Sequence, residues 1–130
     1  MGPIVLVVDD ETGIADNLAV FLEDEGMQVH VAHSGEDAVR RIGEGLPVQV
    51  CIMDLRLPGM NGAETIQAIR RIVPDARFIV HTGSARETVM LDLRRYGLQD
   101  LPVFKKPVED MAALARAIAD ACDPARQTAP

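Results

Sequence analysis

The fold is decided near the amino terminus by residues 4–10, IVLVVDD. A run of five apolar residues, most of them β-branched, is typical of a parallel strand covered on both faces. The same pattern returns at residues 48–54, VQVCIMD, where an apolar run again ends on an aspartate. Two buried strands that each end in a carboxylate predict an α/β domain with an acidic site at one edge of its sheet.

Working outward from these two strands, the hydrophobic periodicity alternates between strand and helix along the chain. Strands are predicted over residues 4–8, 27–31, 48–53, 77–81 and 103–105, and a helical pattern follows each of them. Thr12 is placed to cap the first helix and Ser34 opens the second, while Ser84 and Glu87 have the spacing of a capping box for the fourth. The last helix is expected at about residues 109–121.

Five strand–helix units predict a doubly wound (βα)5 sandwich of the flavodoxin-like type. The second strand alternates apolar with polar residues, and a proline follows the fifth, so these two strands suit the edges of the sheet. The remaining strands are more apolar and belong in the centre. The predicted parallel sheet therefore has the order 2-1-3-4-5.

Length and composition indicate one globular domain. The 130 residues are 48% hydrophobic and 25% charged, with a net charge of -7 and only 3% aromatic residues. An acidic surface repels phosphate backbones, so direct binding to nucleic acid is not expected. We expect a domain over residues 1–122 and a flexible C-terminal tail over residues 123–130.

The two cysteines and the amino terminus indicate a cytoplasmic protein. Cys51 and Cys122 lack metal-ligand spacing, and Cys51 lies in an apolar run where a buried, reduced thiol is expected. The first apolar run is short and ends at once in acids, which excludes a signal peptide or a membrane span there. No membrane association is expected.

The sheet order places polar side chains at one site. Ligands bind such sheets beyond the carboxyl ends of the strands at the topological switch, here between the first and third strands. The strand ends at this edge deliver three carboxylates, one hydroxyl and one or two amines, from Asp9, Asp10, Asp54, Thr82, Lys105 and Lys106. Converging carboxylates repel one another, and Mg²⁺ is the cation that prefers carboxylate and phosphate oxygens. A carboxylate beside Mg²⁺ can attack a phosphoryl group and form an acyl phosphate.

Four motifs make the chain resemble a response-regulator receiver domain of two-component signalling. They are the acidic pair within residues 7–11, the loop of residues 54–62, the Thr82-Gly83-Ser84 turn and the Lys106-Pro107 pair. They occur in order at the ends of the expected strands, and the resemblance runs from about Ile4 to Cys122.

The resemblance implies a role for each site residue. Asp54 would be the phosphoacceptor, Thr82 would hydrogen-bond the phosphoryl group, and Lys106, followed by a cis peptide bond, would pair with it. Mg²⁺ would be bound by Asp9, Asp10, Asp54 and the backbone carbonyl of Arg56. Glu11 is expected to be an ordinary acid at a helix start, and His81 a packed or half-exposed histidine.

The resemblance also implies a stand-alone response regulator in a phosphorelay. A sensor histidine kinase or histidine phosphotransfer protein would supply the phosphoryl group. The face of the fourth helix, fifth strand and fifth helix would then switch binding to a downstream protein. The chain would be a monomer or a phosphorylation-dependent dimer, and it would catalyse only its own phosphorylation and dephosphorylation.

Two alternatives remain open, namely a degenerate receiver used as a constitutive interaction module and a receiver fragment of a larger multidomain regulator. A flavodoxin-type electron carrier is disfavoured by the few aromatic residues. A phosphatase of the Asp-x-Asp type is disfavoured because Arg56 breaks that motif.

The chain departs from the family pattern at two places. Val103 stands where receiver domains commonly carry Tyr or Phe, and Phe104, one residue later, is expected on the other face of the strand. The stretch from Leu98 to Lys105 is also longer than usual. Arg56 and Ser84 flank the expected phosphoryl site, and we expect the Arg56 side chain to fold over the acyl phosphate and slow its hydrolysis.

Overall fold

The computed structural model describes residues 2–123 and contains five strands that alternate with five helices. In chain order these are β1 Ile4–Val8, α1 Thr12–Asp24, β2 Gln28–Ala32, α2 Gly35–Gly43, β3 Val50–Met53, α3 Gly62–Ile72, β4 Arg77–Thr82, α4 Arg86–Arg95, β5 Val103–Lys105 and α5 Met111–Cys122. All strand pairs are parallel, and the order is β2-β1-β3-β4-β5. The predicted (βα)5 fold and sheet order are confirmed.

The central strands are buried because helices cover both faces of the sheet. Alternate residues of β1 and β3 point into two separate hydrophobic clusters, one beneath α2, α3 and α4 and the other beneath α1 and α5. Every residue of β3 is buried. This two-sided burial explains why these strands are continuous apolar runs in the sequence.

The strand register aligns the polar residues that follow the strands. Val8 of β1 pairs with Met53 of β3, so Asp9 and Asp54 leave the sheet side by side. Thr82, the last residue of β4, pairs with Lys105 of β5, which places Lys106 immediately beyond the sheet. The carboxyl edge of three central strands and one edge strand therefore forms a single polar site.

Two of the predicted helix starts are wrong. Thr12 is the first residue of α1 and not its cap, because Glu11 occupies the N-cap without a side-chain hydrogen bond. The capping box predicted for Ser84 and Glu87 does not form, because α4 has Ala85 at its N-cap. The Ser84 hydroxyl accepts a hydrogen bond from Arg56 instead.

A capping box does form at α3, where Asn61 and Glu64 exchange side-chain to backbone hydrogen bonds. The next residue, Gly62, lies against the end of β3. A Cβ at this position would lie 2.2 Å from the Asp54 carbonyl oxygen and 2.7 Å from Leu55 Cα. Only glycine lets α3 begin this close to the strand that delivers Asp54.

At the carboxyl end, Asp123 is the C-cap of α5, and the rest of the predicted tail, residues 124–130, lies outside the described residues. Cys51 is a fully buried free thiol, as predicted, and burial raises its pKa to about 12. None of the helices within residues 2–123 combines the length and hydropathy needed to cross a membrane.

Candidate functional site

Four carboxylates converge at the switch point of the sheet. Asp9 and Asp54 are buried, Asp10 and Glu11 are exposed, and one oxygen of each lies within 4.8 Å of the others. The Asp9 amide donates to the Ala32 carbonyl and the Asp54 amide donates to the Val8 carbonyl, so strand-type hydrogen bonds fix both backbones. The site is therefore built on rigid strand ends.

Lys106 is the amine that reaches these acids. Its Nζ lies 2.7 Å from Asp9 Oδ2, 3.1 Å from Asp54 Oδ2 and 3.2 Å from Glu11 Oε1, and its side chain is 7% exposed. The Lys106–Pro107 peptide bond is cis. Lys105 is exposed and lines a cavity between α4 and β5, away from the acids. The structure thus distinguishes the two neighbouring lysines.

The charges of this cluster do not balance. Burial raises the pKa of Asp54, although the Arg56 amide, which donates to Asp54 Oδ1 at 3.0 Å, and the charge of Lys106 oppose the rise. Burial works against the Lys106 cation, but hydrogen bonding and attraction to Asp9 and Asp54 outweigh it and raise the pKa of Lys106 to about 12. One permanent cation therefore faces four carboxylates, and the site favours a further positive charge.

The donor set fits a magnesium ion. The converging atoms of Asp9, Asp10, Glu11 and Asp54 are all carboxylate oxygens. Hard cations such as Mg²⁺ prefer oxygen ligands, and the two exposed members leave room for the water that Mg²⁺ retains. The hydrogen bond from the Arg56 amide to Asp54 brings the backbone of residue 56 to the same place.

Glu11 belongs to this cluster, although the sequence indicated only a helix-start acid. The one feature of the sequence that could have indicated its place in the cluster is that Glu11 directly follows Asp9 and Asp10.

His81 lies beside the acids, and of the two predicted placements it is packed rather than half-exposed. Its side chain is 2% exposed, and its Nδ1 is 4.0 Å from Asp9 Oδ2, while Nε2 has no hydrogen-bond partner within the described residues. Burial, reinforced by the charge of Lys106, lowers the pKa of His81 to about 4. His81 is therefore neutral at physiological pH and adds no charge to the site.

Thr82 supplies the hydroxyl at the end of β4, where it is 1% exposed. Its Oγ1 accepts a hydrogen bond from the Ser84 amide at 3.2 Å. Thr82 and Ser84 also line a cavity of about 430 Å³ between α4 and β5, which Val103 borders. Phe104 packs on the opposite side of the sheet with α1 and α5, as predicted.

The Arg56 side chain lies toward α4. Its Nε donates to Ser84 Oγ at 3.0 Å, and its Nη2 lies 3.5 Å from Asp92 Oδ2 in the middle of α4. The sequence placed Arg56 and Ser84 beside the site but contained no sign of Asp92. A folding of Arg56 over an acyl phosphate concerns the phosphorylated protein and stays a prediction.

Comparison with known families identifies the domain. The family model described as the response regulator receiver domain matches residues 5–119. The chain belongs to this family. Receiver domains are the phosphoacceptor modules of two-component response regulators, bind Mg²⁺ at an acidic pocket, and interact with histidine kinases or phosphotransfer proteins.

Individual relatives agree with this assignment. The receiver domain is 37% identical over 103 residues to a response regulator receiver protein of Anaeromyxobacter sp. (strain Fw109-5), covering 79% of this chain and 42% of that protein. It is 27% identical over 103 residues to the luminescence regulatory protein LuxO of Vibrio campbellii, and the match covers 79% of this chain and 22% of that protein. The chain thus spans less than half the length of these curated relatives.

A solved structure matches the whole fold. The CheY-like receiver domain protein of Methanospirillum hungatei JF-1 superposes with a TM-score of 0.83 at 25% identity. The match covers 99% of this chain and all of that one.

Proposed function

We propose that this receiver domain accepts a phosphoryl group on Asp54, with Mg²⁺, from a sensor histidine kinase or a histidine phosphotransfer protein. The observation that carries the proposal is the position of Lys106 Nζ, which contacts both Asp9 and Asp54 inside a cluster of four carboxylates. Stability alone does not favour gathering four acids around one amine, because the acids repel each other.

In the proposed reaction, an Asp54 carboxylate oxygen attacks the phosphorus of the donor. A bond forms between that oxygen and phosphorus, and the bond from phosphorus to the donor nitrogen or oxygen breaks, its electron pair leaving with the donor. Lys106 neutralises charge on the phosphoryl oxygens, and the Thr82 hydroxyl donates a hydrogen bond to one of them. Asp9, Asp10, Asp54 and the Arg56 carbonyl, with Glu11 beside them, would hold Mg²⁺, which would supply further positive charge against those oxygens.

The proposed output is a change in protein binding at the face of α4, β5 and α5. The acid cluster lies at the carboxyl edge of the sheet, and the start of α4 and the end of β5 adjoin it. The downstream partner is a protein, with the domain over residues 1–122 acting in the cytoplasm as a monomer or as a phosphorylation-dependent dimer.

The length of the relatives favours a second arrangement, in which the same domain is the receiver part of a longer regulator. The chain covers 42% of one curated relative and 22% of another. Both arrangements use the same chemistry at Asp54 and differ in whether the output is made by a separate protein or by a linked domain.

The test is an intact-mass spectrum after incubation with Mg²⁺ and a small phosphodonor such as acetyl phosphate. Wild type should gain one base-labile phosphoryl group, and Asp54→Asn should gain none. Asp16→Asn, the same substitution at an exposed position of α1, is the matched control and should react like wild type. Equal modification of wild type and Asp54→Asn, or none in wild type, would contradict the proposal.

A further inference from the structure

Two hydrogen-bonded routes lead from the proposed phosphoryl site to Arg56, and the Arg56 side chain contacts α4. From Asp54, Oδ1 accepts from the Arg56 amide at 3.0 Å. From Thr82, Oγ1 accepts from the Ser84 amide at 3.2 Å, and Ser84 Oγ accepts from Arg56 Nε at 3.0 Å. The Arg56 guanidinium then reaches Asp92 Oδ2 at 3.5 Å. The carboxylate of Asp54 and the hydroxyl of Thr82 are therefore both linked to the middle of α4 through Arg56.

The attachment of α4 to its surroundings is light enough for this link to matter. Of its ten residues, α4 buries only Val89 and Leu93, and no side chain caps its amino terminus. A cavity of about 260 Å³, bordered by Arg56 and Asp92, separates α4 from the loop between β3 and α3. Gln67 of α3 donates to the Tyr96 carbonyl at the other end of the helix. The contact of Asp92 with Arg56 thus joins α4 to that loop beside this cavity, in addition to the packing of Val89 and Leu93.

The position that commonly carries a switch aromatic offers no comparable link here. Val103 is 40% exposed and has neither a ring nor a hydroxyl. It borders the cavity of about 430 Å³ on the side of α4 that faces β5, together with Thr82 and Met90. A movement of Thr82 therefore has no bulky side chain at position 103 to draw inward, and the Phe104 ring of β5 packs on the opposite side of the sheet.

We infer that Arg56, Ser84 and Asp92 carry the phosphorylation state of Asp54 to α4, with Asp92 as the positioning residue on the helix. The inference rests on the proposed function. When the Thr82 hydroxyl turns to a phosphoryl oxygen, the Ser84 amide loses its acceptor, and Ser84 is free to move with the guanidinium that it binds. Through Asp92, α4 follows this movement.

The test uses Mg²⁺ with beryllium trifluoride, which mimics a phosphoryl group on a carboxylate without forming a lasting covalent product. Fluorine NMR reports whether the probe is bound, and hydrogen exchange of the α4 amides reports the response, with the α3 amides as reference. The test variants are Asp92→Asn and Ser84→Ala, and Asp92→Glu is the conservative rescue. Glu87→Gln removes an exposed acid from the same helix, and Val103→Ala tests the β5 side.

In wild type, the bound probe should change the exchange rates of α4. The change should be about two- to fivefold smaller in Asp92→Asn and in Ser84→Ala, as expected for loss of one exposed ion pair or hydrogen bond. The double variant should lose little more than either single one, because both act on one link. Asp92→Glu, Glu87→Gln and Val103→Ala should respond like wild type.

The inference is overturned if the probe binds and α4 responds equally in all variants, or if only Val103→Ala loses the response. A bound probe that leaves α4 of wild type unchanged overturns it as well. If wild type does not bind the probe, the proposed function fails and the inference falls with it, so the fluorine signal separates the two failures.

Discussion

Helices α3 and α4 follow the two strands that deliver Asp54 and Thr82, yet the sheet holds them very differently. α3 begins with the Asn61 capping box and buries five residues, namely Gly62, Ala63, Thr65, Ile66 and Ile69. α4 begins without a side-chain cap and buries two. The helix that follows Asp54 is firmly fixed, and the helix that follows Thr82 is lightly attached.

This difference matches the two tasks of a receiver domain. The chemistry proposed for Asp54 needs carboxylates held in fixed positions, which buried strands and a capped helix provide. A readout needs an element that shifts at small energetic cost, and such elements have few buried contacts. In this structure the β3–α3 unit has the fixed geometry and the neighbouring β4–α4 unit has the lightly attached helix.

The largest expected effect is on stability, and it appears when a methyl group is added at the start of α3 but not when one is added before α4. At Gly62 the new Cβ would overlap the Asp54 carbonyl oxygen, so Gly62→Ala should lower the free energy of unfolding by about 3 kcal/mol or more. At Gly83, before α4, the nearest heavy atom to a new Cβ is Lys106 Cβ at 4.0 Å. Gly83→Ala should therefore change stability by less than about 0.5 kcal/mol. Urea unfolding measures both, and similar losses would remove the contrast.

A smaller effect is a loss of stability at acid pH, and it tests how completely His81 is buried beside Asp9. Burial lowers the pKa of His81 to about 4 in the folded protein, against an ordinary value of 6.5. Between these pH values the unfolded chain binds a proton on His81 that the folded protein does not. The stability that neutral His81 contributes is therefore complete above pH 6.5 and falls as the pH drops toward 4.

The measurement is denaturant unfolding of wild type and His81→Gln across this range, with EDTA present. As the pH falls, the free energy of unfolding of wild type should decrease more steeply than that of His81→Gln. The difference in slope should approach ~1.4 kcal/mol per pH unit, which corresponds to one proton taken up on unfolding. The raised pKa of Asp54 contributes with the opposite sign in both proteins and largely cancels in the difference. Parallel pH profiles would show that His81 is not excluded from water in solution.

The sequence predicts the fold and much of the site geometry because both depend on short-range patterns. Buried strands ending in Asp9 and Asp54 follow from apolar runs, and the strand order follows from which runs alternate with polar residues. Convergence of the acids and Lys106 then follows from topology alone. These features need no knowledge of side-chain conformation.

The remaining features depend on contacts between distant loops, which periodicity does not encode. Arg56 meets Ser84 and Asp92 through a particular side-chain conformation across two loops. Ser84 has the spacing of a helix cap, but this contact and the later start of α4 override that local preference. Glu11 joins the acids because α1 begins directly beside Lys106.

The most direct test of the central claim locates the phosphoryl group among the clustered acids. An acyl phosphate formed with Mg²⁺ and a small phosphodonor is reduced by borohydride, which converts the modified aspartate to homoserine, and peptide mass spectrometry then identifies the position. Homoserine is expected at position 54 alone. Homoserine at position 9 or 10, or no reducible residue in a protein that binds Mg²⁺, would contradict it.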